Sequence, residues 1–89
     1  RYHQELKDLM ITPQVLKDTT SVWAQYTVML PEKINRLKLM ADLKEVGIPT
    51  VIYYVKPLHQ QVAYKHYPTA TGGSLPVCEK IAHHVMSLP

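Results

Sequence analysis

Two prolines and a glycine bracket the middle of this chain and decide most of what it can become. Pro31 and Gly47-Ile48-Pro49 enclose a stretch with helical periodicity. Proline suits the first helical turn, where its missing N–H has no partner to lose, and glycine suits the left-handed position after the last turn. The spacing predicts a helix that opens at Pro31 and Glu32 and runs to about Val46. At 100° per residue, Asn35, Lys38, Asp42 and Glu45 form one polar strip. Ile34, Leu37, Met40, Ala41 and Leu43 fill much of the opposite arc, and Arg36 points into it. Two readings are open for Arg36: a long side chain snorkelling out of the core, or a cation that pairs across a domain or subunit interface.

The flanks complete a strand–helix–strand unit. Val22 to Met29 reads VWAQYTVM, rich in aromatic and β-branched residues with bulk at both parities, which predicts a strand covered on both faces. Thr50 to Tyr54 predicts a second, short strand. A strand, a helix and a strand joined by brief turns make a crossover unit, whose strands lie parallel or flank another strand. Arg1 to about Met10 reads as the end of a helix with Tyr2, Leu6 and Leu9 on one side, broken at Thr12-Pro13. Lys17 to Ser21 and Lys65 to Ser74 read as loops. Pro76 to Met86 predicts a last helix, with Val77, Ile81 and Val85 spaced by four. The expected fold class is α+β in two layers, a small sheet with helices packed on it, as one domain over residues 1–89.

Composition narrows the function classes. A chain of 89 residues hides only about 60–65% of its unfolded surface, so burial against a partner would help it. Its apolar fraction of 46% argues against disorder. The net charge is +3, but the basic residues are scattered and form no stripe, so no nucleic-acid partner is expected. No apolar run approaches the roughly 20 residues of a membrane helix, and no membrane partner is expected either. Cys78 is the single cysteine, which excludes an internal disulfide and makes a cytoplasmic setting the default. Among Val77, Ile81 and Ala82 it reads as a small core residue. The chain opens on Arg1 and stops at Ser87-Leu88-Pro89, and is read as a piece of a longer protein.

Enzyme constellations are thin. His83 and His84 are adjacent, whereas a helical metal pair needs positions three or four apart. No serine or cysteine sits in a nucleophile motif, no catalytic carboxylate pair is visible, and Gly72-Gly73 lacks the Gly-Lys-Ser/Thr of a phosphate loop. The segment Tyr53 to Tyr64, YYVKPLHQQVAY, is different. Pro57-Leu58 constrains the backbone before His59, and Tyr53, Tyr54, Gln60, Gln61 and Tyr64 surround it. Imidazole can donate or accept, and tyrosine offers a flat apolar face with a hydroxyl, a combination suited to a sugar or nucleotide-sugar. The alternative is a loop histidine capping a backbone group.

Four motifs in register resemble one family. Ser21-Val22-Trp23-Ala24-Gln25-Tyr26 resembles the strand around "SxWAQY" in the DegT/StrS family of pyridoxal-phosphate-dependent sugar aminotransferases. Arg36-Leu37 through Leu43 and Gly47-Ile48-Pro49-Thr50 resemble its "RxxLxxxLxxxGIPT". Tyr54 through Tyr64 resembles "YPxPLHxQPAY", and Pro76 through Pro89 resembles "PxxExxxxxVxSLP". Val55 and Val62 stand where prolines are usual, and Tyr53 where histidine is often found.

The resemblance spans the chain and implies the C-terminal small domain of a fold-type I aminotransferase, with residues 1–12 the end of the connecting helix. It implies pyridoxal phosphate in the parent enzyme, held with its Schiff-base lysine by a missing N-terminal domain of the same chain. No lysine here matches the family's cofactor-lysine motif, so no catalytic residue is assigned, no cofactor is expected on this fragment, and the fragment alone is not expected to be a transaminase. It further implies amino transfer from glutamate to a nucleotide-linked keto-sugar destined for lipopolysaccharide, other surface glycans or antibiotics, in a homodimer. The implied substrate-binding residues are His59, Tyr54, Tyr53 and Tyr64, with His59 the leading contact to a sugar or carboxylate. The competing expectation is a small α+β binding or regulatory module that dimerises through its sheet.

Overall fold

In the computed structural model, which describes residues 1–89, the sheet grows from two short strands far apart in sequence. Tyr26–Met29 (β1) pairs antiparallel with Val85–Leu88 (β2), with Tyr26 opposite Leu88 and Val28 opposite Met86. Thr27 and Ser87 face each other with their hydroxyl oxygens 2.8 Å apart. The backbone groups of Ser87 turn the other way, to Val51: the Val51 N–H donates over 3.0 Å and the Ser87 N–H over 2.8 Å. Met29 likewise exchanges both bonds with Ile11, at 3.0 and 2.9 Å. This alternation of inward and outward bonding is what an antiparallel ladder requires, and it sets the lateral order Ile11, β1, β2, Val51. The crossover unit is therefore split: β1 and Val51 run the same way and flank β2.

Replacing Thr27 by valine removes the hydroxyl that Ser87, only 5% exposed, depends on. The expected loss is about 1 kcal/mol of domain stability, read as a lower denaturation midpoint in the intact protein. An unchanged midpoint would show that the pair contributes nothing.

Several elements differ from expectation, each for a local reason. The first strand starts at Tyr26 rather than Val22, because Trp23 adopts a left-handed φ of 50° that interrupts extended backbone. The second strand shrinks to the bridge at Val51, since the chain bends immediately after Ile52. Helix α1 covers only Tyr2–Leu6 and ends in a turn closed by Met10 N–H on the Leu6 carbonyl. Helix α2 spans Arg36–Glu45, not Pro31–Val46. Pro31 to Ile34 forms a separate turn, and the Asn35 side chain caps the true helix by accepting from Lys38 N–H at 3.0 Å. At the other end Gly47 (φ 80°) and Ile48 donate to the carbonyls of Lys44 and Leu43, the paired C-terminal bonds that glycine makes possible.

Helix α3 covers Pro76–Ala82, and the residues expected to continue it to Met86 become β2 instead. Arg36 explains the break. One nitrogen of its guanidinium donates to the carbonyl of Ala82 at 2.6 Å and to that of Val85 at 2.9 Å. It thereby satisfies the last carbonyl of α3 and fixes the turn into the strand. Arg36 thus anchors carbonyls within this chain, which replaces both the snorkelling and the interface readings.

The core is small. Val28, Leu30 and Met86 form its centre, with Leu39, Met40 and Leu43 of α2 packed over them. Leu37 and Ala41 of α2 lie outside this contact and are exposed. Only seven of 89 residues are buried, and the accessible surface is 7252 Å². A compact protein of 10.2 kDa presents roughly 5,300 Å². The radius of gyration, 15.1 Å, likewise exceeds the roughly 12 Å of a compact chain this long. The architecture is α+β, one small sheet under one well-seated helix, with much apolar surface uncovered.

Candidate functional site

The segment carrying the predicted residues is pinned from both sides. Pro57 is buried and opens a single 3-10 turn over Leu58–Gln60, closed by Gln60 N–H on the Pro57 carbonyl at 3.0 Å. The Gln61 side-chain amide reaches back to the Lys56 carbonyl at 3.2 Å. A further turn follows, with Tyr64 and Lys65 N–H both on the Gln61 carbonyl. Short-range hydrogen bonds therefore replace the rigidity that proline at positions 55 and 62 would provide.

His59 is held by a residue that sequence reasoning did not single out. Its Nε2 lies 2.8 Å from Oε1 of Glu79, in the first turns of α3. The same Oε1 accepts the Leu75 N–H at 2.9 Å, so one carboxylate oxygen both caps α3 and fixes the imidazole. The hydrogen bond from His59, then that from Leu75, holds the Glu79 carboxyl below the usual carboxylate range. Both side chains are largely covered, 12% exposed for His59 and 28% for Glu79. The available signal was a glutamate shortly after Pro76, the reach-back pattern of a helix start; its histidine partner lies 20 residues away.

A cleft of about 570 Å³ opens beside this pair, lined among others by Leu58, His59, Tyr64, Tyr67, Leu75 and Cys78. Tyr64 and Tyr67 stand with ring centres 6.3 Å apart, tilted by 39°. The structure thus brings His59 and Tyr64 together and adds Tyr67. Tyr53 and Tyr54, exposed at 53% and 69%, lie outside the lining. Cys78, expected in the core, is exposed on the cleft wall, because α3 reaches the core only one turn later, at Ala82. The arrangement offers an apolar, aromatic floor with one oriented imidazole, which suits a flat or ring-shaped ligand with hydroxyls.

A second hollow of about 630 Å³ lies between α1 and the turn after Pro31, lined by His3, Lys7, Asp8, Lys80 and His84 among others. It contains none of the predicted residues. Glu32 and Lys80 pair across it at 2.9 Å, and that contact lowers the Glu32 pKa. His83 lies exposed and His84 half-buried in the turn after α3, and no group of three or more metal-ligating side chains converges anywhere. All eight lysines are exposed, and Lys38 is held by Asp42 at 2.7 Å. Within residues 1–89 none of them has the desolvated setting of a Schiff-base lysine, and none lines the cleft beside His59. No helix is long and apolar enough to cross a membrane.

Comparison with known proteins covers the whole chain. A family model described as the DegT/DnrJ/EryC1/StrS aminotransferase family matches residues 1–89. The chain is 40% identical over 89 residues to the UDP-2-acetamido-2-deoxy-3-oxo-D-glucuronate aminotransferase of Pseudomonas aeruginosa, covering 99% of this chain and 23% of that protein. It is 36% identical over 77 residues to the dTDP-3-amino-3,4,6-trideoxy-alpha-D-glucose transaminase of Streptomyces venezuelae, covering 86% and 19%. A crystal structure of a DegT DnrJ EryC1 StrS aminotransferase from Brucella abortus superposes with a TM-score of 0.88 at 49% identity, over 100% of this chain and 23% of that one. The chain therefore spans about a quarter of the length of the proteins it matches.

Proposed function

We infer, since this chain belongs to the DegT/DnrJ/EryC1/StrS aminotransferase family, that the protein carrying it moves an amino group from glutamate to a nucleotide-linked keto-sugar. In this reading residues 1–89 are the C-terminal small domain, residues 1–12 end the connecting helix, and the cofactor belongs to the portion of the relatives' length that this chain does not span. Pyridoxal phosphate, when bound there, supplies the electron sink for amino transfer. This chain supplies no group to that chemistry; it binds and orients the sugar. The enzyme is a cytoplasmic homodimer whose products enter lipopolysaccharide, other surface glycans or antibiotics.

The observation that carries the reading is the imidazole of His59 fixed at the edge of an aromatic cleft. Tyr64 shares that cleft and provides an apolar face for a sugar ring, while Tyr53 and Tyr54 project from the same segment as outer contacts. Relatives named for UDP- and dTDP-linked sugars support the substrate class. The competing module that dimerises through its sheet has less support, because single-residue bridges at Ile11 and Val51 already take up part of each outer edge of the two strands.

His59→Ala in the intact protein is expected to raise KM for the keto-sugar about tenfold, the effect of one lost hydrogen bond to a bound ligand. The cofactor absorbance should stay as in the parent. Unchanged steady-state kinetics would remove His59 from the substrate site.

A further inference from the structure

The Glu79–His59 pair restricts which ligand group His59 can meet. Oε1 of Glu79 takes two donors, the Leu75 N–H at 2.9 Å and the imidazole at 2.8 Å. An ionised carboxylate is acceptor-only, so the imidazole nitrogen facing it must carry the hydrogen. That nitrogen is Nε2. In the neutral ring the hydrogen cannot also be on Nδ1, and within residues 1–89 the ring's hydrogen bond is made through Nε2. The ring's remaining polar atom is then an acceptor.

We propose that Glu79 is a positioning residue that holds a proton on Nε2 of His59, so that in the neutral ring Nδ1 accepts from a hydrogen-bond donor such as a sugar hydroxyl and disfavours a carboxylate or phosphate. This rests on the substrate-contact role given above to His59 and deepens it by naming the chemical group contacted. Glutamate suits the task because its position on α3 is itself fixed by the Leu75 bond, leaving the imidazole little freedom to rotate. The tyrosines beside it can supply stacking area but cannot impose a tautomer.

The test uses the full-length protein with ring-15N-labelled histidine at pH 8, the His59 signals being those lost in His59→Asn. The expected spectrum shows a proton-bearing Nε2 and a bare Nδ1. Glu79→Gln, which keeps an acceptor oxygen, should retain that pattern, and Glu79→Ala should give a mixture of tautomers. A proton on Nδ1 in the parent, or no change in Glu79→Ala, would overturn the proposal whatever the enzyme turns over. Kinetics with UDP- and dTDP-linked keto-sugars form the second arm. Glu79→Ala should raise KM about tenfold with kcat little changed, and should add nothing in a His59→Asn background. Additive losses in the double variant would mean that Glu79 acts through the fold and not through His59. Turnover of neither sugar class, with the tautomer as expected, would instead remove the aminotransferase reading and leave the tautomer assignment intact.

Discussion

Arg36→Ala is expected to remove about 2–5 kcal/mol from the stability of this domain in the intact protein. Two carbonyls depend on one guanidinium nitrogen, and Ala82, which carries one of them, is only 8% exposed. Deleting the cation leaves both acceptors without their donor beneath α2, where water has little access. It also removes the clamp that converts the end of α3 into the start of β2. Lysine should restore only part of the loss, since its ammonium rides on a flexible stem and lacks the rigid planar head that aims two N–H bonds of one nitrogen at two fixed carbonyls. Methionine, which keeps the apolar stem, separates packing from hydrogen bonding. Thermal midpoints and hydrogen exchange of the Val85–Leu88 amides in the intact protein provide the measurement. Protection of those amides unchanged in Arg36→Ala would refute the clamp.

Residues 1–89 produced alone should not behave as an ordinary small domain. The surface exceeds that of a compact protein of the same mass by roughly 1,900 Å², well above the 800 Å² or so that one partner contributes to a standard interface. The uncovered residues are large: Val22 is 92% exposed, Val62 77%, Val77 71% and Leu37 70%. Three buried side chains at the centre of the core cannot offset the ordering entropy of 89 residues. The isolated polypeptide is expected to retain helical circular dichroism, to bind a hydrophobic dye strongly, and to melt broadly or self-associate. A monodisperse monomer with a sharp, cooperative transition and no dye binding would show that the exposed apolar surface is not an interface.

The parts of this fold that could be read in advance are those decided within a few residues. The end of α2 was legible because Gly47-Ile48-Pro49 carries its own mechanism: a left-handed glycine followed by a residue that cannot continue the helix. The start of α2 was displaced because Asn35 captures the Lys38 N–H, a local competition that the apolar periodicity does not register. The error at α3 has a distant origin. Val77, Ile81 and Val85 continue a helical spacing, but the guanidinium that ends the helix comes from a residue 46 positions earlier than Ala82. The strand at Val22 failed at Trp23, whose left-handed backbone is held by Ser21 Oγ, 3.2 Å from its N–H, and by ring contact with Tyr26 at 5.1 Å.

The same division runs through the candidate site. His59 stood out because proline, tyrosine and glutamine crowd around it in sequence. Glu79 did not, because its relation to His59 exists only after α3 has docked. Tyr53 and Tyr54 shared sequence proximity with His59, but the bend after Ile52 carries them away from the cleft, while Tyr67, three residues beyond Tyr64, turns onto it. Nearness along the chain does not determine which side chains share a cleft: Tyr64 and Tyr67 line it with His59, and Tyr53 and Tyr54 do not.

The position of β2 has a consequence for how the protein is made. It lies between β1 and Val51, yet follows both in the chain, by 60 residues from Thr27 to Ser87. During synthesis both neighbours leave the ribosome before the strand that joins them, at a pace of roughly 5–20 residues per second. For several seconds β1 and the Val51 segment have no sheet to join, and each exposes unpaired backbone capable of pairing with another nascent chain. The strand that completes the sheet arrives last. Slowing translation across residues 76–88 should therefore lower the yield of soluble protein more than slowing it across residues 36–45, where α2 closes its own hydrogen bonds as it emerges.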